Sequence, residues 1–439
     1  MKTFITHFLE KLQTSSWTVP AVFTLIGIFL SQLLLGLDYH TDLGSAKWVE
    51  MGGGGTPEGA RALLSTIATS MLAITGVSFS SIIVALTLAS QQFGPRLLRN
   101  FIRDTFSQSV LGVLIGTFVY CLLVMRGVKG DESAGLLPHL AIIGALFLAL
   151  LSLGFFIKFI HHIVNLIQGE KIVAESFHFL ENAITNVFPD PEKDKPEQRN
   201  TDEEFDGWML TAGKTGYVQA VNTERLVEIA EEHDLVLETE CKAGHFVSHR
   251  QGLIRVIRGV SADEADEDLL KRMRAAIFTG EVRTPEQDHE YGMLQLVEVA
   301  LRALSPGIND PFTAMTCIDY LGASLQLAFR SPIPASVHRD GDGEIRVYSW
   351  RTTHVDLVEI ACNQIRQAAV DRCDVSCRLL EMLALAAAQG TDGKQTGALK
   401  TQADLILGDT VPRMTNKHDA RALESRHEAM MAACEHPKQ

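Results

Sequence analysis

Hydrophobic positions divide the chain into two unlike stretches. Up to about residue 160 they form four long runs, near residues 17–37, 62–90, 109–125 and 136–160. Each approaches or exceeds the roughly 20 helical residues needed to cross a bilayer. The first run is too long for the apolar core of a signal peptide and lacks a clean small-residue cleavage site, so it reads as a retained anchor. Ahead of it, Phe4, Ile5, Phe8, Leu9 and Leu12 share one side of a short helix suited to the membrane interface.

Finer periodicities follow. Ile172, Ser176, Phe179, Leu180, Ala183, Ile184 and Val187 keep helical spacing and predict a stalk continuing the fourth run. Residues 189–204 are charged and broken by Pro189, Pro191 and Pro196, the composition of a linker. Residues 216–221 and 235–240 read as strands around a short helix begun by Thr223. Gly244 then turns the chain into further strands near 246–248 and 253–257. The acidic run 263–268, followed by Lys271, Arg272 and Arg274, places acids at the start and bases at the end of one helix. Residues 345–348 predict a strand, 355–389 one or two helices, and 391–439 a peripheral tail with two weak helical segments.

The fold class that follows is a four-span α-helical membrane domain followed by a cytoplasmic α+β domain, mainly helical with a small β unit. The expected divisions are 1–165 for the spans, 166–204 for stalk and linker, 205–260 for a small barrel- or sandwich-like unit, 261–390 for a helical domain and 391–439 for the tail.

Charge sets orientation. Arg96, Arg99 and Arg103 follow the second run, Lys2 and Lys11 precede the first, and Lys158 and Lys171 flank the end of the fourth. The loop between the first two runs holds Lys47 and Arg61 among Asp38, Asp42, Glu50 and Glu58. The positive-inside rule then predicts both termini on the cytoplasmic side, with the three arginines at the membrane surface. The net charge of -14 belongs mainly to the second half and argues against a nucleic-acid footprint, which needs clustered Lys and Arg. Of the seven cysteines only Cys373 and Cys377 have suggestive spacing, one helical turn apart, and a zinc site commonly uses two such pairs. No metal or cofactor is expected.

Within the runs no Asp, Glu or Arg lies mid-span, which counts against an ion-coupled transporter. On the second run, Thr66, Ser70, Ser81, Thr87 and Gln91 fall within about 80° of one another at helical spacing. Two readings stay open: a water-lined pore wall, or close helix packing through small hydroxyl residues. Gly112 and Gly116 form a GxxxG pair and predict a packing face.

The most distinctive stretch is RALSPGINDPFTA, residues 302–314. Before it, Thr284-Pro285-Glu286-Gln287 predicts a helix start, with Thr284 as N-cap and Gln287 closing a capping box. Along that helix Asp288, Tyr291, Gln295, Glu298 and Arg302 make one narrow polar stripe on an otherwise apolar surface. Ser305-Pro306-Gly307 stops it, Asn309 follows, and Asp310 caps the next helix with Pro311 at its first position. The stripe and loop either form a buried polar network fixing a helical hairpin or an oligomer contact, or place Asp288, Gln295, Glu298, Arg302, Asn309 and Asp310 in a ligand or catalytic pocket. No P-loop, nucleophile elbow, HExxH or Rossmann fingerprint is present in the sequence.

By residues 78–104 (SFSSIIVALTLASQQFGPRLLRNFIRD), 215–221 (TGYVQAV) and 283–314 (RTPEQDHEYGMLQLVEVALRALSPGINDPFTA), the chain resembles the bacterial predicted membrane proteins called domain of unknown function twenty-two fifty-four. The resemblance implies four spans and a cytoplasmic domain, hence a bacterial inner membrane, and no established reaction, ligand or catalytic residue. The expectation is an oligomeric, channel-like or gating assembly in contact with lipid, with a cytoplasmic regulatory domain. The alternatives are a membrane-anchored enzyme or ligand sensor, and a membrane scaffold.

Overall fold

The computed structural model describes residues 17–40, 56–93, 104–128, 137–166, 169–188, 196–199, 205–284, 287–389 and 392–435. The interfacial lead-in at Phe4–Leu12 and the basic residues Arg96, Arg99 and Arg103 lie outside them. The chain divides into two compact units, 1–168 and 169–439.

The first unit consists of helices α1 (Thr18–His40), α2 (Pro57–Phe93), α3 (Thr105–Gly127) and α4 (His139–Leu166). All four are long and apolar enough to cross a membrane. Helix α3 packs against each of the other three, and Val110, Leu114, Tyr120, Cys121 and Val124 bury its faces. Its GxxxG pair lies on α1. A Cβ on Gly116 would meet the Phe23 carbonyl oxygen at 2.8 Å, and one on Gly27 would meet that of Gly116 at 2.6 Å. Backbones approach this closely only where side chains are missing.

Each end of this bundle carries an aspartate at a helix N-terminus. Asp38, near the end of α1, accepts from the backbone N–H groups of Leu140 (3.0 Å) and Ala141 (2.9 Å) at the start of α4. Asp104 caps α3 by accepting from Ser107 N–H at Oδ2 (2.9 Å), and His162 Nε2 of α4 lies 2.9 Å from the same oxygen. Each carboxylate satisfies amides that have no partner inside their own helix and complements the positive end of the dipole.

The polar stripe of α2 lies elsewhere. Thr66, Ser70, Thr87 and Gln91 are exposed and Ser81 is half-buried, while Ala60, Leu64, Ala68, Met71, Ala85 and Ala89 face the bundle. The hydroxyls of Thr66, Ser81 and Thr87 donate to the carbonyls of Ala62, Val77 and Ile83, one turn back. Four of the five stripe residues therefore face outward among the described residues, and three of the stripe's hydroxyls are satisfied by α2 itself.

In the second unit, α5 (Gly169–Val187) buries Ser176, Leu180, Ala183 and Ile184, and packs on α8 (His289–Ala303) and α9 (Pro311–Phe329). The expected stalk is thus a member of a helical layer. This layer continues through α10 (His354–Ala368), α11 (Cys373–Ala387), α12 (Gly393–Thr410) and α13 (Lys417–Glu435). The tail after 391 is not peripheral. Leu399, Ala403 and Ile406 of α12, and Leu423 and Met430 of α13, are completely buried. Their spacing at one or two helical turns is enough for a stripe that seals against α10 and α11.

Two sheets complete the unit. The larger, in the order β1 (Trp208–Thr211), β5 (Gly252–Arg258), β3 (Val236–Thr239), β8 (Ile345–Tyr348), β7 (Val337–Arg339), is antiparallel except for the β3–β8 pair. The smaller is β4 (Phe246–Val247), β2 (Gly216–Val221), β6 (Ile277–Gly280). Between them, α6 (Thr223–Glu232) and α7 (Glu267–Ala275) supply Leu226, Ile229, Leu269 and Met273 to a shared core. Strands from before and after residue 260 share each sheet, so the division expected there runs through both. The strands near 246 and 253 likewise belong to different sheets and form no hairpin. Helix α6 is capped by Asn222, whose side chain accepts from Arg225 N–H at 2.9 Å, one residue ahead of the expected Thr223.

Candidate functional site

Because β3 and β8 are parallel, their carboxyl ends lie at the same edge of the sheet, and the start of antiparallel β7 lies beside them. Three connections therefore converge: 239–243 leaving β3, 349–352 leaving β8 and 334–338 entering β7. The start of α8, with Gln287, Asp288, His289 and Glu290, closes the fourth side. The result is a pocket of about 400 Å³.

Two buried ion pairs organise its wall. Lys242 Nζ donates to Glu290 and to Thr352 Oγ1 (2.9 Å), and Thr352 Oγ1 donates to Glu290 Oε1 at 2.7 Å. Burial alone would raise the Glu290 carboxyl, but the bonds from Lys242 and Thr352 outweigh it and hold the group below the usual range. Arg283 grips Asp288 through both ends of its fork, Nε to Oδ2 at 2.7 Å and Nη2 to Oδ1 at 2.8 Å. Gly244 makes room for this pair. Its φ is +93°, and a Cβ there would stand 2.5 Å from Asp288 Oδ2.

A third group is different in kind. Arg351 donates from Nε to the Ala335 carbonyl, and its Nη2 lies 2.6 Å from His338 Nε2, which also lies 2.8 Å from Ser349 Oγ. Burial, then the charge of Arg351, pushes the His338 imidazole down to about 4. Burial also lowers Arg351, to about 10, which leaves it charged at neutral pH. Cys241 on the same wall is pushed up to about 12 by burial and stays a thiol, unsuited to nucleophilic work. The site offers charge and hydrogen bonds for recognition. Among the described residues no group of three or more His, Cys, Asp or Glu is placed to hold a metal ion. The Cys373 and Cys377 sulfurs are 3.8 Å apart, and Cys373 donates to the Asp419 carbonyl.

The helix expected to start at Thr284 starts at Asp288. Its carboxylate accepts from Tyr291 N–H at 3.0 Å, while Gln287 Oε1 accepts from Val221 N–H of β2 at 2.9 Å and so closes no capping box. Pro285 and Glu286 lie outside the described residues. Of the six candidate residues, Asp288 alone lines the pocket. Gln295 is buried farther along α8, and Glu298 and Arg302 form an i,i+4 pair at 3.9 Å. Asn309 and Asp310 lie beyond the opposite end of this 15-residue helix, about 22 Å from its start at about 1.5 Å per residue.

At that far end the signature loop satisfies itself. Asn309 N–H bonds to Ser305 O (2.9 Å), Asp310 N–H to Ala303 O (2.7 Å), and the Asp310 carboxylate caps α9 through Thr313 N–H at 3.1 Å. Asn309 is exposed, adopts a φ of +52° and accepts from Arg372. Sequence reasoning missed Lys242, Glu290, His338, Arg351 and Thr352 because they sit on separate connections. The one available signal was the polar SWRTT stretch at 349–353, set between a strand and a helix.

A family model described as Predicted membrane protein (DUF2254) matches residues 13–385, a span that contains every residue of the pocket. Uncharacterized proteins of Mycobacterium bovis and Mycobacterium tuberculosis are each similar at 28% identity over 403 residues, 91% of this chain and 77% of theirs. No solved structure matches the chain.

Proposed function

Since the chain belongs to the DUF2254 family of predicted membrane proteins, we propose that it is a bilayer-embedded ligand sensor, anchored by α1–α4 and binding a small polar molecule in the pocket beside β3 and β8. One observation carries this reading. Charged groups far apart in sequence, Lys242, Glu290 and Arg351, converge on a single cavity within the size range of small-molecule sites, about 300–1,000 Å³. Fold stability alone has no use for such a cavity, because burying charges costs more than burying apolar groups of the same volume. The positive-inside pattern favours an inner membrane with both termini on the cytoplasmic side, where the pocket would meet metabolites.

The test is thermal unfolding of the detergent-solubilised full chain against nucleotides, phosphorylated sugars, amino acids, carboxylic acids and divalent cations. A stabilising compound whose effect disappears in Lys242→Met supports the sensor; the absence of any stabilising compound overturns it.

A second reading, the oligomeric channel-like assembly, draws on the outer face of α2. There Leu72, Phe79, Ile83 and Leu88 are exposed alongside Thr66, Ser70 and Thr87. The subunit number in nanodiscs tests it, and a monomer removes it.

A further inference from the structure

Resting on the sensor reading, the charge inventory of the pocket says what its ligand must carry. Lys242 is cancelled by Glu290, and Arg283 by Asp288. His338 receives the Arg351 Nη2 bond as an acceptor and is therefore neutral. Arg351 has no carboxylate partner among the described residues, and its Nη1 makes no hydrogen bond there. One positive charge is left over, largely desolvated, at the wall of a cavity of about 400 Å³. Among the described residues it has no counter-charge, although the chain as a whole carries a net charge of -14.

A second, independent orphan lines the same cavity. His289 is 7% exposed, and neither ring nitrogen has a hydrogen-bond partner of adequate distance and angle among the described residues. Buried polar groups are nearly always paired, and each exception points to a missing partner. A buried guanidinium without a counter-charge is the costlier exception. Trp350 lines the same cavity, is half exposed and packs at a right angle to His245 with ring centroids 4.8 Å apart, offering a flat apolar surface.

We infer that the ligand is a small organic oxyanion, a carboxylate or phosphate ester, whose charged end is gripped by Arg351 and whose body lies against Trp350. The free edge of the guanidinium presents Nη1 and the second proton of Nη2, the geometry that takes two oxygens of one oxyanion. His289, neutral through burial, adds one donor or acceptor for a polar substituent.

The experiment uses the full chain in detergent at constant ionic strength, with inorganic phosphate and acetate as separate probes and chloride as the reference. Phosphate, acetate or both are expected to raise the unfolding temperature over chloride, identifying the preferred oxyanion. Arg351→Met should weaken that response at least about tenfold in apparent Kd, and Arg351→Lys should restore it in part. Should Arg351→Met fail to fold, phenylglyoxal labelling of the wild-type protein reads the same contact, with Arg351 protected by the effective anion. Equal responses in wild type and Arg351→Met, or unprotected Arg351, overturn the inference. A neutral ligand that binds in a Lys242-dependent way while both oxyanions fail also overturns it, yet leaves the sensor standing. If no compound of either class binds, both readings fall.

Discussion

Asp288 and Asp310 perform the same local task, each accepting a backbone N–H three residues ahead to start a helix, α8 in one case and α9 in the other. Their surroundings have nothing else in common. Asp288 is 2% exposed, clamped by Arg283, and stands at a cavity wall. Asp310 sits in a turn that closes on itself, next to the exposed Asn309. The more distinctive sequence marks the plainer site. A loop conserving its own hydrogen bonds needs specific residue types at fixed spacing, whereas a pocket is assembled from ordinary residues on separate connections.

The comparison breaks most visibly at Asp288. Asp288→Ala removes a cap and leaves Arg283 buried without its partner, so a loss of about 3 kcal/mol is expected. Asp310→Ala removes a cap alone and should cost about 1 kcal/mol. Chemical denaturation of the solubilised protein ranks them, and equal losses would show that the buried pair contributes nothing beyond capping. Next comes Gly244→Ala, expected to cost on the order of 2 kcal/mol because the residue is left-handed and its new methyl group meets Asp288. A neutral result would mean that the Arg283–Asp288 pair is free to move.

The pocket should also respond to acid in a way the signature loop does not. Burial lowers His289 and His338, with His338 at about 4, below the unfolded value of about 6.5. Between those values the unfolded chain binds more protons than the folded one, so stability rises with pH and is lost as pH falls from about 6.5 toward 4. Melting temperatures at neutral and mildly acidic pH measure the slope, and His338→Gln should flatten it. The smallest effect is expected from Asn309→Gly. Its left-handed backbone suits glycine, so unfolding should shift by no more than a few tenths of a kcal/mol. A large loss would assign the Arg372 contact a structural weight its exposure argues against.

Much of the architecture was legible because it is local. The four spans follow from hydropathy summed over about 20 residues, and strands at 216–221 and 345–348 from short apolar alternation flanked by turn residues. The start of α8 was misplaced because Thr284-Pro285 and Asp288 are both good helix openings. Arg283 and the β2 contact of Gln287 decide between them, and neither is visible in a capping pattern. The tail was undervalued for a similar reason. Its sparse apolar residues look weak in sequence, yet Leu399, Ala403 and Ile406 fall on one face of α12.

Local sequence was enough for the division into an apolar four-helix part and a charged α+β part, for the α3 packing glycines and for the stop and restart of helices at 305–311. Each depends on residues within a few turns of one another, or on the bare size of a side chain. Three-dimensional packing settled that 239–243, 334–338 and 349–352 meet, because a parallel pairing of β3 with β8 aligns strand ends more than a hundred residues apart. It also decided which charges cancel and which one remains. Charge compensation is a matter of a few ångströms, and distance along the chain carries no information about it.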